Sequence, residues 1–273
     1  MNNRSWPASV LQFRANREAS LRREYGWLSL AGLFWLAEGE NALGSAVDCP
    51  VRLSSRAPAH AGAFTLRGGQ VTVTPAAGIR MTLNDAVLTG PSQILKVDSS
   101  GETDFIFIHD LRMRVIERAG KLGIRLWDPQ SPVRRDFPGC IWYPPDASYR
   151  VAARVEPYAE PRHFTVEDST GNLRPVTMHA ALAFKLDGAE YRLDAERKDD
   201  GAFDIVFKDA TAGRTTYGAG RFVDSEVPVG DQVVIDFNVA YNPPCAFTEF
   251  ATCPLPVPQN ILPVAIEAGE KYV

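Results

Sequence analysis

The sequence predicts a mainly β protein with a helix at its N-terminus. Three observations carry this. Short runs with period-two alternation, such as Val71-Thr-Val-Thr and Phe203-Asp-Ile-Val-Phe, recur from Asn41 to the mid-230s. Turn dipeptides such as Gly68-Gly69, Asp187-Gly188 and Asp200-Gly201 stand between runs as hairpin connections do. Residues 7–25 instead carry an amphipathic helical pattern. The expected organisation is a helix and apolar segment over 1–40, a β-sandwich over 41–126, and a second antiparallel β domain or barrel over 127–273. A long proline-rich loop closes the last of these.

Bulk properties narrow the function classes. The chain has 273 residues, a formal charge of −4, 45% hydrophobic and 23% charged residues, the profile of a soluble globular protein. Its scattered charges argue against nucleic acid or an anionic membrane as main partner. No run approaches the roughly 18 consecutive apolar residues of a membrane span. Met-Asn-Asn-Arg-Ser-Trp-Pro opens no signal-peptide pattern, so a cytoplasmic location with reduced thiols is expected. Cysteines at 49, 140, 245 and 253 make no CxxC and fit no common zinc spacing. With four histidines in the chain, no histidine-rich metal centre is expected, no metal ligand is assigned, and the residues name neither a cofactor nor an oligomeric state.

In chain order, Pro7 suits the first turn of the helix and Gly26 its end. Val10, Phe13, Ala19 and Leu21 share a face whose expected role is to cover a sheet. Trp27–Leu36 is strongly apolar and stands between a short helix and a buried strand. From Asn41 to about Leu126, runs such as Ala63-Phe-Thr-Leu-Arg, Phe105-Ile-Phe-Ile and Leu111-Arg-Met-Arg-Val-Ile alternate with turns, which implies a sandwich or barrel. Gly44-Ser45, Pro50-Val-Arg-Leu53, Ala57-Pro-Ala-His60, Gly68-Gly-Gln-Val-Thr-Val73 and Gly78-Ile-Arg-Met-Thr-Leu-Asn84 resemble a forkhead-associated domain. The resemblance implies a fold only. That family places an arginine where this chain has Ser45, and a serine and arginine where it has Ala57 and Pro58, so phosphothreonine recognition lacks its charge-assisted clamp. His60 is read as a structural histidine making one local bond.

Residues 127–150 form an irregular aromatic stretch, in which Ser131-Pro132 and Pro144-Pro145 rule out regular structure. Arg134 and Arg135 lie there among apolar and aromatic neighbours. They either clamp a carboxylate or phosphate through bidentate guanidinium contacts or form an ordinary salt bridge with Asp136 or a distant acid. Residues 151–235 return to strand patterning. Tyr217-Gly-Ala-Gly-Arg221 lacks the strand-to-helix context of a dinucleotide loop and is read as a bent strand.

The segment from Asp236 to Lys271 concentrates acids, amides, Cys245, Cys253 and prolines at 243, 244, 254, 256, 258 and 263, without helical or strand periodicity. A loop this long and this apolar is functional or structural rather than disordered. Asp236-Phe-Asn238-Val-Ala-Tyr241-Asn242-Pro-Pro-Cys245-Ala-Phe, Ala251-Thr-Cys253-Pro-Leu-Pro, Asn260 and Glu267-Ala-Gly-Glu-Lys271 resemble the signature of DUF1684, an uncharacterised bacterial and archaeal family. Gly26–Leu36, Pro132–Phe137 and Asp209–Phe222 are similar to its earlier blocks. The resemblance implies kinship and no activity.

Several roles stand open for these residues. Asp236, Asn238, Tyr241, Asn242 and Asn260 line a rigid polar pocket, or the acid and amides satisfy loop backbone groups. Cys245 and Cys253 bridge, bind metal, serve singly as a nucleophile, or are buried small apolar groups; no histidine lies nearby in sequence to act as base. Glu270, with Glu267 and Asp236, supplies acid–base catalysis or holds a cation, or Glu270 is a solvated residue of the tail. The expectation is a pocket for a small anionic metabolite, bound by Arg134 and Arg135 against the 236–270 segment. Asp236, Cys245 or Glu270 would serve chemistry there, such as hydrolysis. The rival is a non-catalytic interaction module whose proline-rich loop is a partner surface or a structural plug.

Overall fold

The alternating runs become paired strands. The structure is a computed structural model describing residues 6–272. It divides into two units: Leu21–Phe137, and the stretch up to Ser20 together with everything from Pro138 onward. The N-terminal helix and the apolar segment after it, read together as residues 1–40, therefore fall in different units.

The Leu21–Phe137 unit holds β1 (Leu30–Trp35), β2 (Gly39–Gly44), β3 (Val51–Arg52), β4 (Gly62–Arg67), β5 (Gln70–Pro75), β6 (Thr82–Leu83), β7 (Ala86–Val87), β8 (Ile106–Ile108), β9 (Leu111–Arg118) and β10 (Lys121–Trp127). One sheet runs β1-β10-β9-β8-β6-β7 and the other β3-β2-β4-β5. Leu43, Phe64, Val71 and Val73 of the second sheet share one buried core with Ile106, Met113, Val115, Ile124 and Leu126 of the first. Two sheets burying a common apolar layer is the sandwich arrangement. Gly68 (φ 55) and Gly69 (φ 79) close the β4–β5 hairpin, both in the left-handed region that a two-residue type I′ turn demands.

The apolar Trp27–Leu36 stretch divides into a 3-10 turn at Trp27–Ser29 and strand β1, which pairs antiparallel with β10. Propensity left this stretch ambiguous, and an available strand edge resolved it. After β10, Pro132 begins a short helical turn, α2 (Pro132–Arg135), instead of preventing one. Proline at the first helical position lacks only an N–H that would have had no helical partner.

The other unit contains α1 (Trp6–Leu21) and β11 (Arg150–Glu167), β12 (Leu173–Leu186), β13 (Ala189–Arg197), β14 (Phe203–Phe207), β15 (Arg221–Asp224) and β16 (Gln232–Asp236). They form one antiparallel sheet, ordered β15-β14-β13-β12-β11-β16. Its core face presents Val151, Leu182, Phe184, Leu193, Ile205, Phe207, Val223 and Ile235. Phe237, Ala240, Leu262, Ile266 and Ala268 of the irregular C-terminal segment bury against that face. That segment thus fills the place a second sheet would take in a sandwich.

The N-terminal helix packs its Phe13 against aromatic residues of the irregular segments. Phe13 meets Trp142 and Tyr241 at ring separations of 6.5 and 6.2 Å. Arg14 stacks over Trp142 at 4.8 Å and Arg17 over Tyr241 at 4.6 Å. Arg14 and Arg17, off the apolar face of the helix, thus carry packing through their planar groups. Among the described residues no helix is long and apolar enough to cross a membrane.

Candidate functional site

The outer strands of the larger unit place side chains on two faces. In β14, Phe203, Ile205 and Phe207 enter the core and Asp204 points to the opposite face; in β15, Arg221 and Val223 go inward and Phe222 and Asp224 outward. Strand register then brings acids together. Glu196 of β13 is opposite Asp204, and Asp204 is opposite Asp224. Directly opposed residues share a face, and adjacent strands lie roughly 5 Å apart. Three carboxylates therefore stand in a row across three strands, an arrangement that opposes folding because like charges face each other.

That row forms one wall of a cleft of about 690 Å³, lined also by Arg197, Lys198, Asp199, Asp200, Phe222 and Tyr241. The volume lies within the range of small-molecule sites. One cation answers the row directly: Lys198 Nζ is 2.9 Å from Asp224 Oδ2. Asp204 bears the consequence. Burial, with Asp224 and Glu196 adding repulsion, pushes its carboxyl up to about 6. The Tyr241 phenol is also pushed up, by burial first and then by Asp224 and Asp204. It stays protonated and able to donate a hydrogen bond.

The signature residues do different work. Asp236 caps the 3-10 turn Phe237–Val239: Oδ1 accepts from the Asn238 N–H (3.0 Å) and side-chain amide (2.8 Å), and Oδ2 from the Trp6 indole (2.5 Å). Asn238, fully buried, clamps Asp146 by accepting from its N–H and donating to its carbonyl, both at 2.8 Å. Asn260 bridges two strands. Its Oδ1 accepts from the Asp194 N–H (2.7 Å), and its Nδ2 donates to the carbonyls of Asp194 and Val206 (2.8 Å each). β13 and β14 pair through two residues each, Glu196–Asp204 and Arg197–Phe203. The Asn260 amide supplies the linkage further along, holding the strands that carry the carboxylate row. Asn260→Ala leaves an N–H and two carbonyls without these bonds and should destabilise the unit by about 2 kcal/mol. Urea unfolding followed by tryptophan fluorescence measures it, and a loss under about 0.5 kcal/mol would remove the bridging role.

Glu270 is almost fully buried. Its Oε2 accepts from the Asn242 N–H at 3.0 Å, while Asn242 donates from its side chain to the Lys271 carbonyl at 3.0 Å. Burial pushes the Glu270 carboxyl up, against the opposing pull of Asn242 and Arg17; Arg17 Nε is 4.0 Å away. The Cys140 thiol beside it is pushed up by burial and by Glu270.

Cys245 and Cys253 are thiols, neither of them in a disulfide. The Cys245 N–H donates to Cys253 Sγ at 3.4 Å. A hydrogen bond with the Cys253 thiol, with help from Tyr217 and Ser169 and against the effect of burial, lowers Cys245 to about 7. Such a thiol ionises near neutral pH, but its named neighbours are a thiol, a phenol and a hydroxyl, none of them an ordinary general base.

Arg134 donates from Nε to the Arg22 carbonyl (3.0 Å) and from Nη1 to the Pro129 carbonyl (2.9 Å). Arg135 holds Asp136 with two parallel bonds, at 2.9 and 3.0 Å, on an exposed surface.

Of the residues selected from sequence, Tyr241 lines the cleft, while Glu196, Asp204 and Asp224 were not selected. Sequence offered one signal for them: acids at the outward positions of alternating strands. Nothing in the sequence states that those positions are opposite one another.

The family described as "Protein of unknown function (DUF1684)" matches residues 135–271. That span contains the whole Asp236–Lys271 signature and the three acids of the cross-strand row; the Gly26–Leu36 block lies outside it. No curated protein matches the chain. Among solved structures, an uncharacterized protein of Haloarcula marismortui, determined by solution NMR, is similar at 33% identity over 53% of this chain and 80% of that one, with a TM-score of 0.43.

Proposed function

From the premise that this chain belongs to the DUF1684 family, whose description assigns no activity, we propose that it binds a small organic cation in the cleft walled by Glu196, Asp204 and Asp224. The observation carrying this reading is the carboxylate row. Three acids aligned across adjacent strands oppose folding, Lys198 pairs with Asp224, and a positively charged ligand would offset the remaining charge. A cleft of about 690 Å³ suits an amine-bearing metabolite better than a bare ion. The three acids also do not bring their oxygens together as a single ion would require; among the described residues the side chains that converge in that way are elsewhere. Phe222 and Tyr241 supply ring surfaces against which an ammonium group is attracted.

An anionic ligand was expected on the strength of Arg134 and Arg135. Their guanidinium groups are engaged with backbone carbonyls and with Asp136, so the ligand's charge is read from the cleft instead. Against the interaction-module reading stands the burial of Ala251, Val257, Leu262, Ile266 and Ala268, which turns much of the apolar content of the proline-rich segment inward.

Calorimetric titration with a series of amines, from monoamine to polyamine, against inorganic phosphate and citrate tests the proposal. Amines should bind, less tightly as salt rises, and should raise the unfolding midpoint; at a concentration 100 times Kd the gain is about 2.7 kcal/mol. The double variant E196Q/D204N should lose the response. Stabilisation by the anions alone, or equal amine binding by the variant, overturns the assignment.

A further inference from the structure

We infer that Asp48, Cys49 and His60 form a binding site for a divalent transition-metal ion of the zinc class, with one coordination position open to solvent. The site lies in the Leu21–Phe137 unit and is independent of the carboxylate cleft. Among the described residues, these three bring a thiol sulfur, an imidazole nitrogen and a carboxylate oxygen within 4.8 Å of one another.

Backbone geometry creates the juxtaposition. β2 ends at Gly44, where an added Cβ would lie 2.1 Å from the Ala59 carbonyl oxygen. Glycine there allows the chain on either side to run against 57–61. Three N–H donors fasten it: Ala61 to Leu43 (2.7 Å), Ser45 to Pro58 (2.9 Å) and Ala46 to Ala59 (3.0 Å). The Cys49 N–H then turns back to the Ala46 carbonyl at 3.2 Å. The turn directs the buried Cys49 sulfur at the ring of His60, while Asp48 and His60 remain exposed beside it.

The distances fit the chemistry. Cys49 Sγ is 3.6 Å from His60 Nδ1. A tetrahedral zinc ion with bonds of about 2.3 Å to sulfur and about 2.05 Å to nitrogen holds those two atoms about 3.6 Å apart. The Asp48 carboxylate, on an exposed side chain next to Cys49, lies within 4.8 Å of both and would close in to bonding distance on the ion. One thiolate, one imidazole and one carboxylate form a borderline-soft set that favours zinc, cobalt or copper over calcium or magnesium. Three protein ligands plus an accessible fourth position is the pattern of sites where a metal binds water or substrate. A plain thiol–imidazole hydrogen bond would account for Cys49 and His60 but gives Asp48 no part.

Cobalt(II) titration of the full chain tests the inference, since thiolate ligation gives a charge-transfer band in the near ultraviolet. The wild-type protein should bind one equivalent with that band, and zinc should displace it. C49S should abolish the band. H60N and D48N, both on exposed side chains, should retain the fold by circular dichroism yet bind cobalt at least about tenfold more weakly, since losing even a group that only hydrogen-bonds a metal ligand weakens binding roughly 10–100-fold. Persistence of the band in C49S would assign it to another thiol and overturn the site. So would unchanged affinity in H60N, or a folded wild-type protein that binds no cobalt.

Discussion

Arg221→Met should lower the stability of the larger unit by about 3–5 kcal/mol, as loss of one partner from a buried ion pair does. The side chains of Arg221 and Asp209 are each 1% exposed, with Nη2 and Oδ1 3.4 Å apart. The pair is embedded in further bonds. Arg221 also donates to the carbonyls of Ala268 and Ile266, while Asp209 accepts from the Ile266 N–H at 2.7 Å and from the Thr211 hydroxyl. Together they fasten residues 266–268 to the outer strands of the sheet. The substitution leaves the Asp209 charge buried with neutral donors only and removes the donor from two carbonyls. Methionine fills much of the volume, so the loss reads charge and hydrogen bonding more than a cavity. Urea unfolding gives the value, and D209N/R221M should cost less than the two single substitutions summed because the groups are coupled. A change under about 1 kcal/mol in R221M would show that the pair does not hold the segment.

Asp204→Asn should do the opposite: raise stability at pH 7 while removing ligand binding. The folded-state carboxyl ionises near 6, above its ordinary 3.8, because burial and the neighbouring acids disfavour its charge. The sign follows from linkage. Between those two values the folded protein holds a proton that the unfolded chain has released. The stabilising contribution is therefore full below about pH 4 and is lost as pH rises through about 6. Asparagine cannot ionise, so the variant should lack that decline. At pH 7 it should gain up to about 3 kcal/mol, about two pH units at roughly 1.4 kcal/mol each. The measurement is the difference in unfolding free energy between variant and wild type from pH 4 to 8. A flat difference, or a variant less stable at pH 7, would remove Asp204 as a strained acid. A variant that is more stable yet no longer binds amines is the signature of a site held at the expense of stability.

Much of the fold was legible in the chain because its signals are local. Hairpin dipeptides and period-two runs depend on neighbouring residues, and Gly68-Gly69 behaves as read. The helix was read at 7–25 and spans Trp6–Leu21. Trp27–Leu36 was ambiguous because its state depends on β10, about ninety residues later. The arginines of α1 read only as the remainder of the helix beside its apolar face, because periodicity does not say what a charged side chain touches. Guanidinium planes can pack on aromatic rings, as Arg14 and Arg17 do on Trp142 and Tyr241.

The candidate site divides along the same line. By itself the sequence determined that this is a mainly β chain with one N-terminal helix, and that its C-terminal segment carries the DUF1684 signature, rigid through its prolines. It also identified the amides and acids of that segment as special. Only the tertiary structure decided what they do: Asp236 caps a turn, Asn238 clamps a loop, and Asn260 spans two strands. Only strand register placed Glu196, Asp204 and Asp224 in one row. The physical reason is range. Alternation, turn chemistry and proline rigidity are fixed by adjacent residues, whereas facing carboxylates and a fully buried Arg221 exist only once strands distant in the chain have paired.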